Sequence, residues 1–289
     1  MELQITRKGN TEVLKRNLKN GVEYLTFPNI ENTNMVSHLF STRLGGVSEE
    51  HLATMNLSYT RGDKKELVDE NFRRIAKVLD RSIDDFVLSD QTHTVNVRKV
   101  TEADRGKGVV RERDYQDIDG LVTNVPGIVL STFFADCVPL YFVDPVHKAI
   151  GLAHAGWRGT VSGIGKQTVA LMQDSYESKP KDIIVAIGPS ICQDCYEVSE
   201  DVAKQFYQIF PDTERAKKVL YYREETEEGK KYQLNLWQAN FELLLEAGIL
   251  AEHICITDIC TCCNPKYLFS HRASQGKRGN LGAFLSINL

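Results

Sequence analysis

The sequence is short of several things, and each shortage excludes something. Its longest apolar runs, such as IVLSTFFADCVPLYFV at 128–143, are broken by Asp136 and Pro139. None supplies the roughly 18 uncharged residues that a membrane-spanning helix needs. An excess of basic residues is missing too: 35 Lys and Arg stand against 39 Asp and Glu, for a formal charge of -4. With so little positive charge to neutralise a phosphate backbone, broad nucleic-acid binding is not expected. The opening MELQITRKGNTEVLKRNLKNG has scattered charges in place of the apolar stretch and small-residue cleavage site of a secretory signal, so a cytoplasmic protein is expected. There is no Pro/Ser/Gly-rich linker and no repeat at a fixed period. One domain over residues 1–289 is the simplest expectation, and this length suffices to bury a substantial core.

Seven cysteines is an odd number, and a chain held in a reducing compartment keeps its thiols as core, metal-binding or reactive groups. What is present around them is organised. Short β-branched or aromatic segments bounded by turn residues predict strands at Tyr24–Pro28, Val36–Ser41, Val95–Val100, Ile128–Phe134, Leu140–Val143, Ala149–His154, Ile183–Ile187 and Ile254–Ile256. Helical spacing of apolar residues predicts helices over Lys65–Asp80, Gly159–Met172 and Leu236–Ala247. The mixture is α/β, or mixed α+β. The heavily charged stretches Glu102–Arg113 and Arg223–Lys231 are expected to be solvated surface loops.

Polar clusters adjoin strand-like segments in the middle of the chain: SDQTHTVNV around His93, FFADCVPLYFVDP around Cys137 and IGLAHAGWRGT around His154. Strand ends are where α/β proteins place sites. Alone, Cys137 is a small buried hydrophobe as readily as a functional thiol, and His93 carries even less signal. Together, two imidazoles and a thiolate suit Zn²⁺, and three protein ligands with one open position is the arrangement of catalytic zinc. Separations of 44 and 17 residues match no compact finger, so only the fold could bring these ligands together.

The strings STRLGGVS (41–48), NLS (56–58), QTHT (91–94), DGLVT (119–123), ADCVPLYFVDP (135–145), AHAGWRGT (153–160), AIGPSICQDCYEV (186–198), CTCC (260–263) and FSHR (269–272) resemble, in this order, the YfiH/YlmD family of laccase-domain proteins. The resemblance runs from about residue 36 to the end of the chain. It implies a layered α/β sandwich similar in architecture to certain cysteine-dependent deamidases, and a metal triad on His93, Cys137 and His154. It further implies phosphorolysis of adenosine, inosine and methylthioadenosine, with adenosine deamination, so that the partners are purine nucleosides and phosphate. The family's older name, multicopper polyphenol oxidoreductase or laccase, implies copper instead. A laccase needs several copper centres and a larger set of histidines than the seven scattered here, which favours zinc. Two departures stand out: Thr94 where the family often has Gly, and Arg278-Gly279-Asn280 where it often ends in Thr-Gly-Arg. Arg278 could take the role of that terminal arginine from a shifted position.

Phosphorolysis calls for cationic and amide donors near the reacting centre. Arg43 with the Gly45-Gly46 turn, and Arg158 beside His154, are the candidates, each balanced by a structural role as a solvated turn or a loop-holding ion pair. Asp136 could orient a ligand imidazole or carry a proton, or simply cap the local backbone. Gln91 could bind substrate through its amide or make a structural hydrogen bond. Cys192-Gln193-Asp194-Cys195 and Cys260-Thr261-Cys262-Cys263 form a rival site for structural zinc, but Cys260, Cys262 and Cys263 look crowded for paired ligands, and the resemblance puts no metal there. His271 could approach the pocket, though a packed or surface histidine is the plainer expectation, as it is for His38, His51, His147 and His253. Three other functions stay open beside the nucleoside enzyme: a cysteine amidase or hydrolase on cell-wall precursors using Cys137 as nucleophile, a copper-dependent phenol oxidase, and a non-catalytic metal-binding protein. Oligomeric state cannot be read from the composition.

Overall fold

The computed structural model describes residues 3–9, 12–227 and 229–289. Its centre is a pair of six-stranded sheets packed face to face. The first takes the order Lys15–Lys19, Val22–Thr26, Val36–Ser41, Leu281–Ile287, Val129–Phe134, Phe86–Leu88; the second, Ile254–Ile256, Ile184–Ile187, Val138–Asp144, Ala149–Ala155, Gly120–Thr123, Val97–Lys99. Leu25, Phe27, Phe40, Leu130, Tyr141, Val143, Ile150, Leu152, Leu285 and Ile287 fill the space between them. Helices cover both outer faces. Lys65–Leu79 lays Val68, Phe72 and Ile75 on the first sheet, and Ile164–Tyr176 with Leu236–Glu246 covers the second. The result is a layered, mixed α/β sandwich.

This layering explains why the middle strands read as unbroken apolar runs. Along Val138–Asp144, Val138, Leu140 and Phe142 join the helix-side core while Tyr141 and Val143 join the core between the sheets. A strand covered on both faces has no polar side to alternate with. Antiparallel pairing of Val138–Asp144 with Ala149–Ala155 sets Val138 opposite Ala155 and Pro139 opposite His154. Cys137, one residue before the first strand, is thereby delivered beside Gly156 at the end of the second.

The charged stretch Arg223–Lys231 is not a loop. Leu220–Thr226 and Gly229–Leu234 pair as a hairpin whose outer strand is exposed from Tyr221 to Thr226, within a three-stranded sheet with Glu197–Ser199. Exposure on both faces of that strand removed the alternation that would have revealed it. Glu102–Arg113 remains largely irregular, opened by a short 3₁₀ turn at Glu102–Asp104, but Asp104 is buried and bridges Arg98 and Lys107. The helix expected over Gly159–Met172 is two helices, Trp157–Val161 and Ile164–Tyr176, parted at Gly163 where φ is 81°. No helix among the described residues is long and apolar enough to cross a membrane.

Candidate active site

Strand parity puts His154 on the same side of its strand as Ile150 and Leu152, facing the first sheet, where its ring lies 5.4 Å from that of Phe134. The ring's Nδ1 is 2.7 Å from Asp119 Oδ1. Asp119 immediately precedes the strand Gly120–Thr123, whose register sets Gly120 opposite Ala153, so pairing of the strands itself brings the carboxylate to the imidazole. The same carboxylate accepts the backbone N–H groups of Thr92, His93 and Thr94 and the Thr94 hydroxyl, at 2.8–3.1 Å. These bonds gather the loop in which His93 takes a φ of 68°, and they turn its ring toward Cys137, with Nε2 3.9 Å from Sγ. His93, Cys137 and His154 thus meet, each offering one donor atom within 4.8 Å of the others. Gly156 is required here, since a Cβ on it would lie 2.8 Å from the His93 ring and 3.2 Å from Cys137 Sγ.

The electrostatics favour an ionised thiol. Burial pushes the Cys137 thiol up, but the charge of His154 and hydrogen bonds from both histidines outweigh it and bring the group down to about 6. Burial likewise pushes His154 down, while Cys137 and Asp119 raise it to about 9. Asp119 itself resists burial's upward push through the bond to His154 and is held below the usual carboxylate range.

The triad opens onto a cleft of about 300 Å³ lined by Ser58, Tyr59, Arg61, Gln91, Arg278 and Asn280 among others. Arg61 makes no hydrogen bond or ion pair among the described residues. Arg278 donates to the Gly279 carbonyl and the Asn280 amide oxygen, and its buried Nε has no hydrogen-bond partner among the described residues. Burial first, then the charge of Arg61, lowers Arg278 to about 10. Asn56 holds this wall together, accepting the N–H groups of Ser58 and Asn280 and donating to Asp63. Arg113 also lines the cleft but is paired with Asp90. A wider groove of about 950 Å³ shares Tyr59, Asp90, Gly108 and Arg113 with the cleft and contains none of the triad, so the smaller cleft is the one that joins chemistry to space.

The other candidates sit differently. Asp136, at φ 89°, points away from His154: its carboxylate accepts the Thr261 hydroxyl at 2.6 Å and the Arg272 N–H at 2.7 Å. The imidazole is oriented by Asp119 instead. Arg43 donates to the Ala53 and Pro265 carbonyls and stacks over Phe269, and the Gly46 and Val47 amides are taken by Thr54 and Asn71, so neither that guanidinium nor these two amides are directed at an anion. Gln91 lines the cleft, yet its amide bridges to Phe133 N and O and to Ser89. Arg158 is exposed, stacked on Trp157 at 4.4 Å, and does not line the cleft. His38 is buried between the sheets' aromatic residues and accepts the Phe27 N–H. Neither Asp119 nor Arg61 is marked by a spacing or composition signal of its own, although Asp119 opens the DGLVT string.

Residues 37–288 match the family model described as multi-copper polyphenol oxidoreductase laccase. The chain is 38% identical over 253 residues to the purine nucleoside phosphorylase YlmD of Bacillus subtilis, covering 86% of this chain and 87% of that protein. It is 31% identical over 257 residues to the human purine nucleoside phosphorylase LACC1, covering 86% of this chain and 55% of that one. Among solved structures, the Bacillus licheniformis hypothetical protein YfiH superposes with a TM-score of 0.86 at 35% identity, covering 94% of this chain and 99% of its own. YlmD from Geobacillus stearothermophilus superposes with a TM-score of 0.85 at 35% identity, over 96% and 100% of the two chains.

Proposed function

The chain belongs to the family described as multi-copper polyphenol oxidoreductase laccase, the YfiH/YlmD family, and we propose that it is a zinc-dependent purine nucleoside phosphorylase acting on adenosine, inosine and methylthioadenosine, with adenosine deamination as a second activity. The observation that carries this is the meeting of His93, Cys137 and His154 at one end of a cleft whose other wall presents Arg61 and Arg278 without carboxylate partners among the described residues. An acidic protein that leaves two arginines unpaired in a nucleoside-sized cleft is suited to an anionic co-substrate.

The donor set fits zinc on this structure's own terms. The three donor atoms converge, Cys137 favours its thiolate, and the second nitrogen of His154 is fixed on a buried carboxylate, the outer support that metal-binding histidines ordinarily have. When bound, zinc supplies Lewis-acid activation of oxygen, the chemistry that hydrolytic deamination at C6 of adenosine requires. Arg61 and Arg278 hold phosphate against C1′ of the ribose. A phosphate oxygen forms the new bond to C1′ as the bond to N9 breaks, and the purine leaves with that electron pair and takes up a proton. Asp119 keeps His154 and the His93 loop in place, and Asp136 fixes the backbone on which Cys137 sits.

The test is to incubate metal-quantified protein with adenosine, with and without phosphate, and follow adenine, ribose 1-phosphate and inosine by chromatography beside Cys137→Ala. Phosphate-dependent adenine and ribose 1-phosphate, lost in the variant, are expected, and inosine reports deamination. Turnover indifferent to phosphate overturns the phosphorylase. A copper–thiolate absorption band in the protein as isolated would overturn zinc.

One observation favours a second function. Cys137, His154 and Asp119 also form the thiol–imidazole–carboxylate series of a cysteine nucleophile, which suits amide cleavage. Such cleavage survives chelation and needs no phosphate, whereas the phosphorylase is lost to both treatments.

A further inference from the structure

Behind the candidate active site lies a second cluster of thiols. The strands Ile184–Ile187 and Ile254–Ile256 are parallel neighbours, with Val185 opposite Ile254, and a parallel bridge between Ser190 and Cys260 continues the pairing beyond their ends. Each strand runs on into a Cys-x-x-Cys turn, Cys192–Cys195 from the first and Cys260–Cys263 from the second. Parallel pairing therefore sets two such turns side by side. The four sulfurs all lie within 4.8 Å of one another. Cys262, which makes the sequence look crowded, is not one of the four; the pairing is 260 with 263, an ordinary two-residue spacing.

We propose that Cys192, Cys195, Cys260 and Cys263 form a closed tetrathiolate site for a structural zinc ion, separate from the triad. Four ligands at about 2.3 Å from a tetrahedral zinc stand about 3.8 Å apart. Cys195 and Cys263 are 3.5 Å apart, near that edge length and far beyond the roughly 2.05 Å of a disulfide. Two backbone N–H groups, of Cys192 and Cys263, point at Cys260 Sγ from 3.2 and 3.4 Å, as donors to a thiolate would. Cys192 and Cys260 are buried and the other two half-buried, so the group would sit under cover. Lys8, ion-paired with Asp194 between Cys192 and Cys195, brings a positive charge to a site whose four thiolates would leave a net negative one. With all four positions taken by protein, the ion has no place for substrate and its work is to hold the fold.

What it holds is the backbone behind the triad. Thr261, between the ligands Cys260 and Cys263, donates to Asp136; the Arg272 N–H donates to the same carboxylate, and the Arg272 side chain reaches the Cys195 carbonyl. Asp136 adjoins Cys137. The zinc therefore clamps two strand ends whose loops fix the position of the triad's thiol.

The test separates the two sites by removing one. His93→Ala/His154→Ala, purified with reductant and zinc, should keep about one zinc per chain, and X-ray absorption at the zinc edge should show sulfur-only coordination at about 2.3 Å. Cobalt substitution of that variant should give the intense visible bands of a tetrahedral tetrathiolate. Should the double variant not fold, wild-type protein answers instead: two filled sites predict five cysteine and two histidine ligands over two ions, the triad alone one and two over one ion. Loss of all zinc from a folded His93→Ala/His154→Ala, mixed nitrogen and sulfur coordination in it, or wild-type protein holding one zinc with a single sulfur ligand would overturn the proposal. None of these readouts depends on nucleoside turnover, so the tetrathiolate site and the phosphorylase can fail separately.

Discussion

Asp119 shows how much of the site depends on one carboxylate. It orients His154 through Nδ1 and gathers three consecutive backbone N–H groups around His93, so both imidazoles answer to it. Asp119→Asn keeps the shape but loses the charge, and whichever amide atom faces the loop, the nitrogen cannot accept where a carboxylate oxygen did. Removing a support of this kind typically weakens metal affinity or activity by about 10–100-fold. We expect that loss in affinity for the proposed zinc by competition with a chromogenic chelator and a parallel loss in kcat/KM for the proposed reaction; a variant with unaltered metal affinity would show that Asp119 serves only the loop. The residue stood in view within DGLVT, but an aspartate before a strand is an ordinary turn residue, and only the register of Gly120 with Ala153 gives it a partner. Arg43 errs in the other direction. An arginine before Gly-Gly has the composition of an anion site, yet its donors go to the Ala53 and Pro265 carbonyls. Residue type was legible; the direction of each side chain was not.

Elements were legible where burial left a pattern. Val36–Ser41 and Ile254–Ile256 have the bounds that their short β-branched and aromatic runs predict, and Lys65–Leu79 stops where Asp80 takes the left-handed conformation that caps it. The hairpin around Gly229 left none, and the strand Leu281–Ile287 is not predicted by its sequence although it lies inside the first sheet between Val36–Ser41 and Val129–Phe134. Gly282 and Ser286 interrupt its apolar residues, yet each is accommodated: Gly282 because a Cβ would strike the Phe284 ring at 2.5 Å, Ser286 buried within the sheet. Phe284 is the side chain through which this strand grips the helix. It is fully buried, edge-on to Phe72 at 6.5 Å and to Phe86 at 5.6 Å. Phe284→Ala should therefore cost about 3–5 kcal/mol, measured as a lowered urea midpoint with an unchanged slope. A loss below about 1 kcal/mol would mean that the helix and the sheet close over the cavity.

The molecule as a whole carries a formal charge of -4 and still directs two unpaired arginines into one cleft. Its average field does not attract anions, so the phosphate of the proposed reaction would have to be drawn by local charge. This fixes what each arginine should do to the kinetics of the proposed reaction. Arg278 is half-buried, with an unpartnered Nε and a guanidinium already discouraged by burial and by Arg61, so an arriving anion relieves both. Arg61 is exposed and acts through water and salt. Arg278→Gln should raise the KM for phosphate by about 10-fold or more, the loss of a charge-assisted contact worth about 1.5–3 kcal/mol, and this loss should persist at high ionic strength. Arg61→Gln should raise it less, and its effect should shrink as salt rises from about 50 to 300 mM, where the screening length falls below about 10 Å. The nucleoside KM should move little in either variant. Equal, salt-independent effects on the nucleoside and phosphate constants would mean instead that the two arginines maintain the cleft's shape, and the phosphate site would then have to be sought in the wider groove beyond Tyr59 and Arg113.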